Sequence, residues 1–167
     1  MSIERARAWL TAQGADPARI LEFPVSSATV ELAAKAVGVE PRRIAKTLSL
    51  RLSGTAGDGV ILIVAAGDAR IDNAKYKARF GCKARMLAPQ EAAECVGHAV
   101  GGVCPFGVNE GVAVYLDGSL RRFNTVFPAA GSANSAIELD LEELERFSRA
   151  AGWVDVCRLP DAGEVDA

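Results

Sequence analysis

Two apolar segments joined by a short loop constrain the fold of this chain more than any other feature. From Gly59 to Ala66 the residues are almost continuously apolar and often β-branched, the composition of a central strand buried on both faces. Just upstream, Leu48, Leu50 and Leu52 alternate with Thr47, Ser49 and Arg51, as a strand with one buried face requires. The residues between, Ser53 to Gly59, read as a hairpin connection. Lys46 stands at the head of the first strand and on the leucine parity, which aims an ammonium at the side where burial disfavours charge and lowers a lysine pKa. Two readings are open for it: a cation pointed into a pocket, or a strand-end lysine that reaches water along its aliphatic stem.

The rest of the chain alternates helices and strands without a regular βαβ repeat. Helical spacing runs from Ser2 to Gln13, and Arg19 to Pro24 reads as a short strand. Thr29 is an N-cap for Val30 to Val37, with Gly38 as the stop, and Pro41 opens a helical turn over Arg42 to Ala45. Asp72 caps a helix that closes at Gly81, and Pro89 to Val96 forms another with proline in its first turn. Further strands are expected at Lys83–Leu87, Ala99–Val103, Val112–Leu116, Ser135–Leu139 and Trp153–Leu159. Asp140 and Glu143 have capping-box spacing ahead of a last helix, Leu141 to Ala151. This order favours a mixed α+β sheet or a partly closed barrel over a doubly wound fold. With 167 residues, half of them hydrophobic, it is expected to form one domain over residues 1–167.

Composition narrows the chemistry. The four cysteines, Cys82, Cys95, Cys104 and Cys157, have no Cys-x-x-Cys spacing, and His98 is the only histidine. Neither a zinc site nor a disulfide framework is indicated, no cofactor is implied, and a serine triad has no Gly-x-Ser-x-Gly elbow. No apolar stretch is long enough to span a bilayer and no signal-peptide block leads the chain, so a soluble cytoplasmic protein with no membrane partner is expected. The net charge of −2 hides a segregation: 16 basic and 12 acidic residues up to Ile137, 3 basic and 9 acidic after it. Arg70, Lys75, Lys77 and Arg79, followed by Lys83 and Arg85, form a basic cluster opposed only by Asp72. It reads either as an RNA-binding footprint or as a solvated helix face.

Two small-residue loops are candidates to share a pocket with Lys46. In Gly101 to Gly107 the paired glycines let a ligand approach the backbone, whose N–H groups can receive an anion or a developing oxyanion. The second loop, Ala130 to Ser135, is small and polar and immediately precedes an apolar strand. Cys104 lies inside the first loop; as a nucleophile it would need His98 as base, and the alternative is a small packed residue.

Three motifs together carry a family resemblance: Ile44-Ala45-Lys46-Thr47-Leu48, Gly101-Gly102-Val103-Cys104-Pro105-Phe106-Gly107, and Gly131 to Leu139 ending in Ile137-Glu138-Leu139. In order and spacing, from about Val25 to Val156, the chain resembles the YbaK/EbsC family, also called prolyl-tRNA synthetase-associated domains. The resemblance implies an α+β fold, a mixed, partly barrel-like β-sheet with flanking helices, and a trans-editing deacylase that hydrolyses the ester of a mischarged small amino acid on tRNA, often tRNA for proline, without metal or covalent nucleophile. It implies catalytic roles for Lys46, Gly101 and Gly102. Thr47, Cys104, Pro105, Phe106, Gly131, Ser132, Asn134 and Ser135 are the corresponding substrate-binding candidates. Aminoacyl-tRNA is the implied partner, an aminoacyl-tRNA synthetase an optional second one, and the oligomeric state stays open. The chain departs from the pattern at one place: members that remove cysteine from tRNA for proline carry Gly-Leu-Asp before Ile-Glu-Leu, whereas Asn134-Ser135-Ala136 stands here. The aspartate is missing, which leaves the amino acid open. The rival reading is a non-catalytic tRNA- or synthetase-binding module of the same fold, and a weaker third is a thiol hydrolase using Cys104.

Overall fold

The computed structural model describes residues 2–27, 29–53, 59–98 and 102–160. The two apolar segments form its centre. β2 (Ile44–Leu52) and β3 (Gly59–Ala66) pair antiparallel over eight positions, from Ala45 opposite Ala66 to Leu52 opposite Gly59. Around this hairpin the sheet grows by parallel pairing on both sides. β6 (Thr125–Pro128) lies against the start of β2, and β5 (Ala113–Asp117) lies along β3. β8 (Leu139–Asp140) and β9 (Gly152–Val154) complete a six-stranded order β8-β6-β2-β3-β5-β9. Two short ribbons stand beside it: β1 (Ile20–Glu22) with β7 (Ser135–Ile137), and β4 (Arg70–Ile71) with β10 (Cys157–Arg158). The result is a mixed, curled half-barrel sheet with flanking helices, an α+β fold.

The helices begin and end where local chemistry satisfies their free backbone groups. α1 spans Ser2–Ala12. In α2 (Val30–Val37) the Thr29 hydroxyl accepts from Leu32 N at 3.1 Å, and the helix closes at Gly38. In α3 (Asn73–Phe80) the Asp72 carboxylate accepts from Lys75 N at 3.1 Å, and Gly81 is the cap. α4 (Pro89–Val96) starts on its proline. In α5 (Leu141–Ser148) Asp140 and Glu143 cap each other's backbone at 2.7 and 3.1 Å.

Sequence expectation and structure differ at several elements. Lys83–Leu87 makes only a single bridge, Met86 to Leu50, instead of a strand. Ala99–Gly101, most of the strand expected at 99–103, lies outside the described residues, and Gly102 and Val103 are not in a strand. α5 ends at Ser148, three residues early, where Arg149 turns left-handed (φ 53°). The expected strands 135–139 and 153–159 each split in two because their halves pair with different partners. β6 is absent from the expectation altogether.

The core is continuous from α1 to β10. Leu50, Leu62, Ile63, Tyr76, Phe106, Leu116, Leu120, Ile137, Leu139, Leu144 and Phe147 are the large side chains at its centre. Burial blurs the expected alternation of β2, because both faces of the hairpin are covered: Ser49 and Leu50 are both buried, while Leu48 is only partly so. A buried carboxylate, Asp117, accepts from Ser119 N (2.8 Å) and Val156 N (2.9 Å). The Ser119 hydroxyl in turn accepts from Ala66 N (3.1 Å). These bonds fasten the end of β3 to the turn after β5 and to the chain leading into β10.

Candidate functional site

The turn that follows β3 holds Lys46. Opposite Ala65 in the ladder, the lysine is half-buried, and its Nζ donates to the carbonyl oxygens of Gly67 (3.3 Å) and Ala69. The turn approaches the Pro41 turn so closely that a Cβ on Gly67 would stand 2.0 Å from the Pro41 carbonyl oxygen and 2.7 Å from Val30 Cγ1. Only glycine fits there. Asp68, between the two residues whose carbonyls accept from Lys46, is clamped by Arg122 through bonds of 3.0 and 2.5 Å. Among the described residues Lys46 has no carboxylate ion-pair partner. Burial pushes its pKa below the ordinary lysine value and Arg70 adds to the fall, while Cys157 and Asp68 oppose it. An ammonium has three N–H donors; among the described residues two of them meet carbonyls and the third has no acceptor.

Lys46 stands on the partition between two clefts. One, of about 240 Å³, is mainly apolar, with Val30, Ala33, Ile44, Val103, Phe127 and Ala136 on its walls. Its polar points besides Lys46 are Ser27, Thr29, Thr47 and Ser135. The Thr47 Oγ1 is buried there without a hydrogen-bond partner among the described residues, an arrangement that costs stability unless a ligand supplies the partner. The other cleft, of about 880 Å³, is polar and lined by Glu31, Lys46, Asp68, Arg70 and Arg158.

The two glycine loops meet beside the smaller cleft. A Cβ on Gly102 would lie 2.8 Å from Gly131 O and 2.8 Å from Ser132 Cα, so the loops touch backbone to backbone. Gly102, Gly131 and Ser132 abut one another behind the wall; Val103 and Ser135, one and three residues farther on, reach the cleft itself. Gly101 lies outside the described residues. Ser135 is buried, with its hydroxyl accepting from Ser132 N (3.2 Å) and 2.8 Å from Ser132 Oγ. Asn134 is exposed and donates to Phe23 O (2.9 Å), while Phe23 N donates to Asn134 O (2.8 Å), which straps the loop to the segment after β1.

Cys104, Pro105 and Phe106 belong to the core and line neither cleft. Cys104 Sγ lies 3.6 Å from His98 Nε2, but both groups face the Phe106 carbonyl oxygen, at 3.7 and 2.7 Å. Burial pushes the thiol up to about 12 and the imidazole below its ordinary value. A neutral thiol beside a neutral imidazole lacks the thiolate needed for nucleophilic attack. The basic cluster is dispersed as well. Arg70 lines the polar cleft, Lys75 donates to Asp155 (3.1 Å) and Cys157 O (3.2 Å), and Arg79 stacks over Phe80 and Tyr115. Lys77 is exposed on α3.

Sequence reasoning missed Phe127, the Gly67–Ala69 turn and Arg158. Thr125-Val126-Phe127 carries a strand signal that could have been read; Gly67-Asp68 after an apolar run is an ordinary turn pair, and nothing local marks Arg158.

Residues 25–147 match the profile of the family described as "Aminoacyl-tRNA editing domain". The chain is 60% identical over 139 residues to the uncharacterized protein YwhH of Bacillus subtilis (strain 168), spanning 83% of this chain and 87% of that protein. Among solved structures, a "putative trans-editing enzyme for prolyl tRNA synthetase" is 30% identical with a TM-score of 0.81, covering 94% of this chain and 97% of that one. The hypothetical protein APE2540 is 28% identical with a TM-score of 0.80, covering 92% and 99%. No helix among the described residues is long and apolar enough to cross a membrane.

Proposed function

This chain belongs to the aminoacyl-tRNA editing domain family, and we propose that it is a trans-editing hydrolase that deacylates tRNA mischarged with a small amino acid, tRNA for proline being a candidate substrate. The observation that carries this reading is the position of Lys46, with one N–H uncommitted, between a small apolar cleft and a larger polar one. An aminoacyl ester has the same division: a side chain on one side of the carbonyl, a sugar and its phosphates on the other.

Such an ester is already activated, so hydrolysis needs a positioned water or neighbouring hydroxyl and donors aimed at the carbonyl oxygen more than a strong nucleophile. Water adds to the carbonyl carbon, the ester C–O bond breaks, and the products are the free amino acid and the tRNA hydroxyl. The Lys46 ammonium supplies the donor for the oxygen that gains charge. Loss of one such donor typically costs on the order of 3 kcal/mol in the barrier. The 240 Å³ cleft acts as a second sieve, admitting small side chains and excluding a larger correct one. Thr47 and Ser135 provide its polar contacts in place of the absent aspartate. The reaction would take place in the cytoplasm, where charged tRNA is used.

The binding-module alternative loses support because Lys75 and Arg79 are engaged within the domain. A panel of mischarged tRNAs tests the proposal. Release of at least one small amino acid, abolished by Lys46→Ala, is expected; no cleavage, or an equally active variant, would refute it.

A further inference from the structure

The ribbon of β4 and β10 places Arg70 directly opposite Arg158 in antiparallel register. Like charges in such a pair repel and weaken the ribbon, yet neither guanidinium is in an ion pair among the described residues. The neighbouring register pair, Cys157 and Ile71, turns the other way, with Cys157 buried in the core. Both arginines therefore share the outward face and line the polar cleft together with Lys46. Two carboxylates are also on its wall. Asp68 is neutralised by Arg122, and Glu31 lies in the first turn of α2. The cleft has a surplus of positive charge, and two of its cations are held side by side at a cost to the fold.

We propose that Arg70 and Arg158 form a clamp for one phosphodiester of the single-stranded RNA end whose terminal ester reaches Lys46. The inference rests on the deacylase reading for the identity of the RNA and extends it to a site that includes Arg158, beyond the segment matching the family profile. A guanidinium fork suits the oxygens of a phosphodiester, and two forks converging on one phosphate relieve their mutual repulsion when the ligand is bound. The clamp gives β10 a role in substrate binding. It also fixes polarity: the phosphate side of the ester lies toward the ribbon, and the amino-acid side lies toward Phe127.

Direct titration of CpCpA, adenosine and inorganic phosphate against the wild type, Arg70→Gln, Arg158→Gln and the double variant tests the clamp. CpCpA binding is expected to weaken about tenfold or more in the double variant, with the slope of log affinity against log salt smaller by about 0.7, the value for one phosphate on a single strand. Adenosine binding should not change. The unliganded single variants should melt at or above the wild-type temperature, because a repulsive pair has been removed; a lower melting temperature would mark the arginines as structural and overturn the clamp. Unchanged CpCpA affinity and salt slope would overturn it too, as would inorganic phosphate competing as tightly as CpCpA. On aminoacyl-tRNA the double variant should raise KM with kcat held, the signature of lost uniform binding. The two readings fail separately. CpCpA binding through the pair with no ester cleaved sinks the deacylase alone, and cleavage with KM unchanged in the double variant sinks the clamp alone.

Discussion

Replacing Gly102 with alanine tests whether contact between the two glycine loops shapes the site. The new Cβ would meet Gly131 O and Ser132 Cα at 2.8 Å and Gly131 C at 2.9 Å, all backbone atoms with no flexible end to swing away. Ordinary contact begins near 3.4 Å, so the loops must separate by about 0.6 Å, an overpacking that costs about 1–3 kcal/mol. For a domain of this size that lowers the melting temperature by about 2–12 °C. Because Val103 and Ser135 follow these loops into the apolar cleft, the same displacement misplaces two of its walls. With a 1 Å error worth roughly a hundredfold in rate, kcat/KM should fall on the order of tenfold. Thermal melts followed by deacylation well below the melting point separate the two effects. Gly152→Ala is the control, since nothing lies within 4 Å of its added Cβ, and it should be neutral in both assays. A Gly102→Ala protein that melts and turns over like the wild type would show that the loops do not brace the site.

Thr47→Val removes a buried hydroxyl that has no partner while keeping the branched shape. It should raise stability by about 1 kcal/mol and lower kcat/KM; a drop in melting temperature would mean the hydroxyl is already satisfied in the free protein. For Lys46 the folded pKa is lowered, so the unfolded chain binds more protons between that value and 10.5. Stability should therefore rise with pH through this window, a rise absent in Lys46→Met. Activity, which under the proposed mechanism needs the ammonium, should fall on the alkaline side at a pH below 10.5 once uncatalysed ester hydrolysis is subtracted; a flat profile to 10.5 would contradict the role proposed for Lys46. Cys104→Ser should keep most of its deacylation at some cost in melting temperature, since the thiol is buried off the clefts; loss of activity in a folded variant would revive a thiol mechanism.

Legibility followed distance along the chain. The caps at Thr29, Asp72 and Asp140, the stops at Gly38 and Gly81 and the β2–β3 hairpin were readable because each depends on residues a few positions apart. The strand β6 was missed although Thr125 to Phe127 has the right composition, because its role comes from parallel pairing with Ile44 and Ala45, some eighty residues upstream. The basic run Arg70 to Arg79 looked like one surface in sequence. Folding sends Arg70 to the cleft, ties Lys75 to Asp155 and lays Arg79 on aromatic rings, since successive side chains leave a ribbon and a helix in different directions.

The sequence by itself determined the central hairpin, the helix boundaries at their capping residues, the place of Lys46 on the leucine parity and the presence of two small-residue loops. These follow from periodicity, capping and charge, which act locally. Only the tertiary structure decided what Lys46 binds, that Gly102 abuts Gly131, that the cleft wall includes Phe127, and that Arg158 comes to stand opposite Arg70. Those contacts join segments dozens of residues apart, and their partners are chosen by packing and strand pairing across the whole domain, which no local pattern encodes.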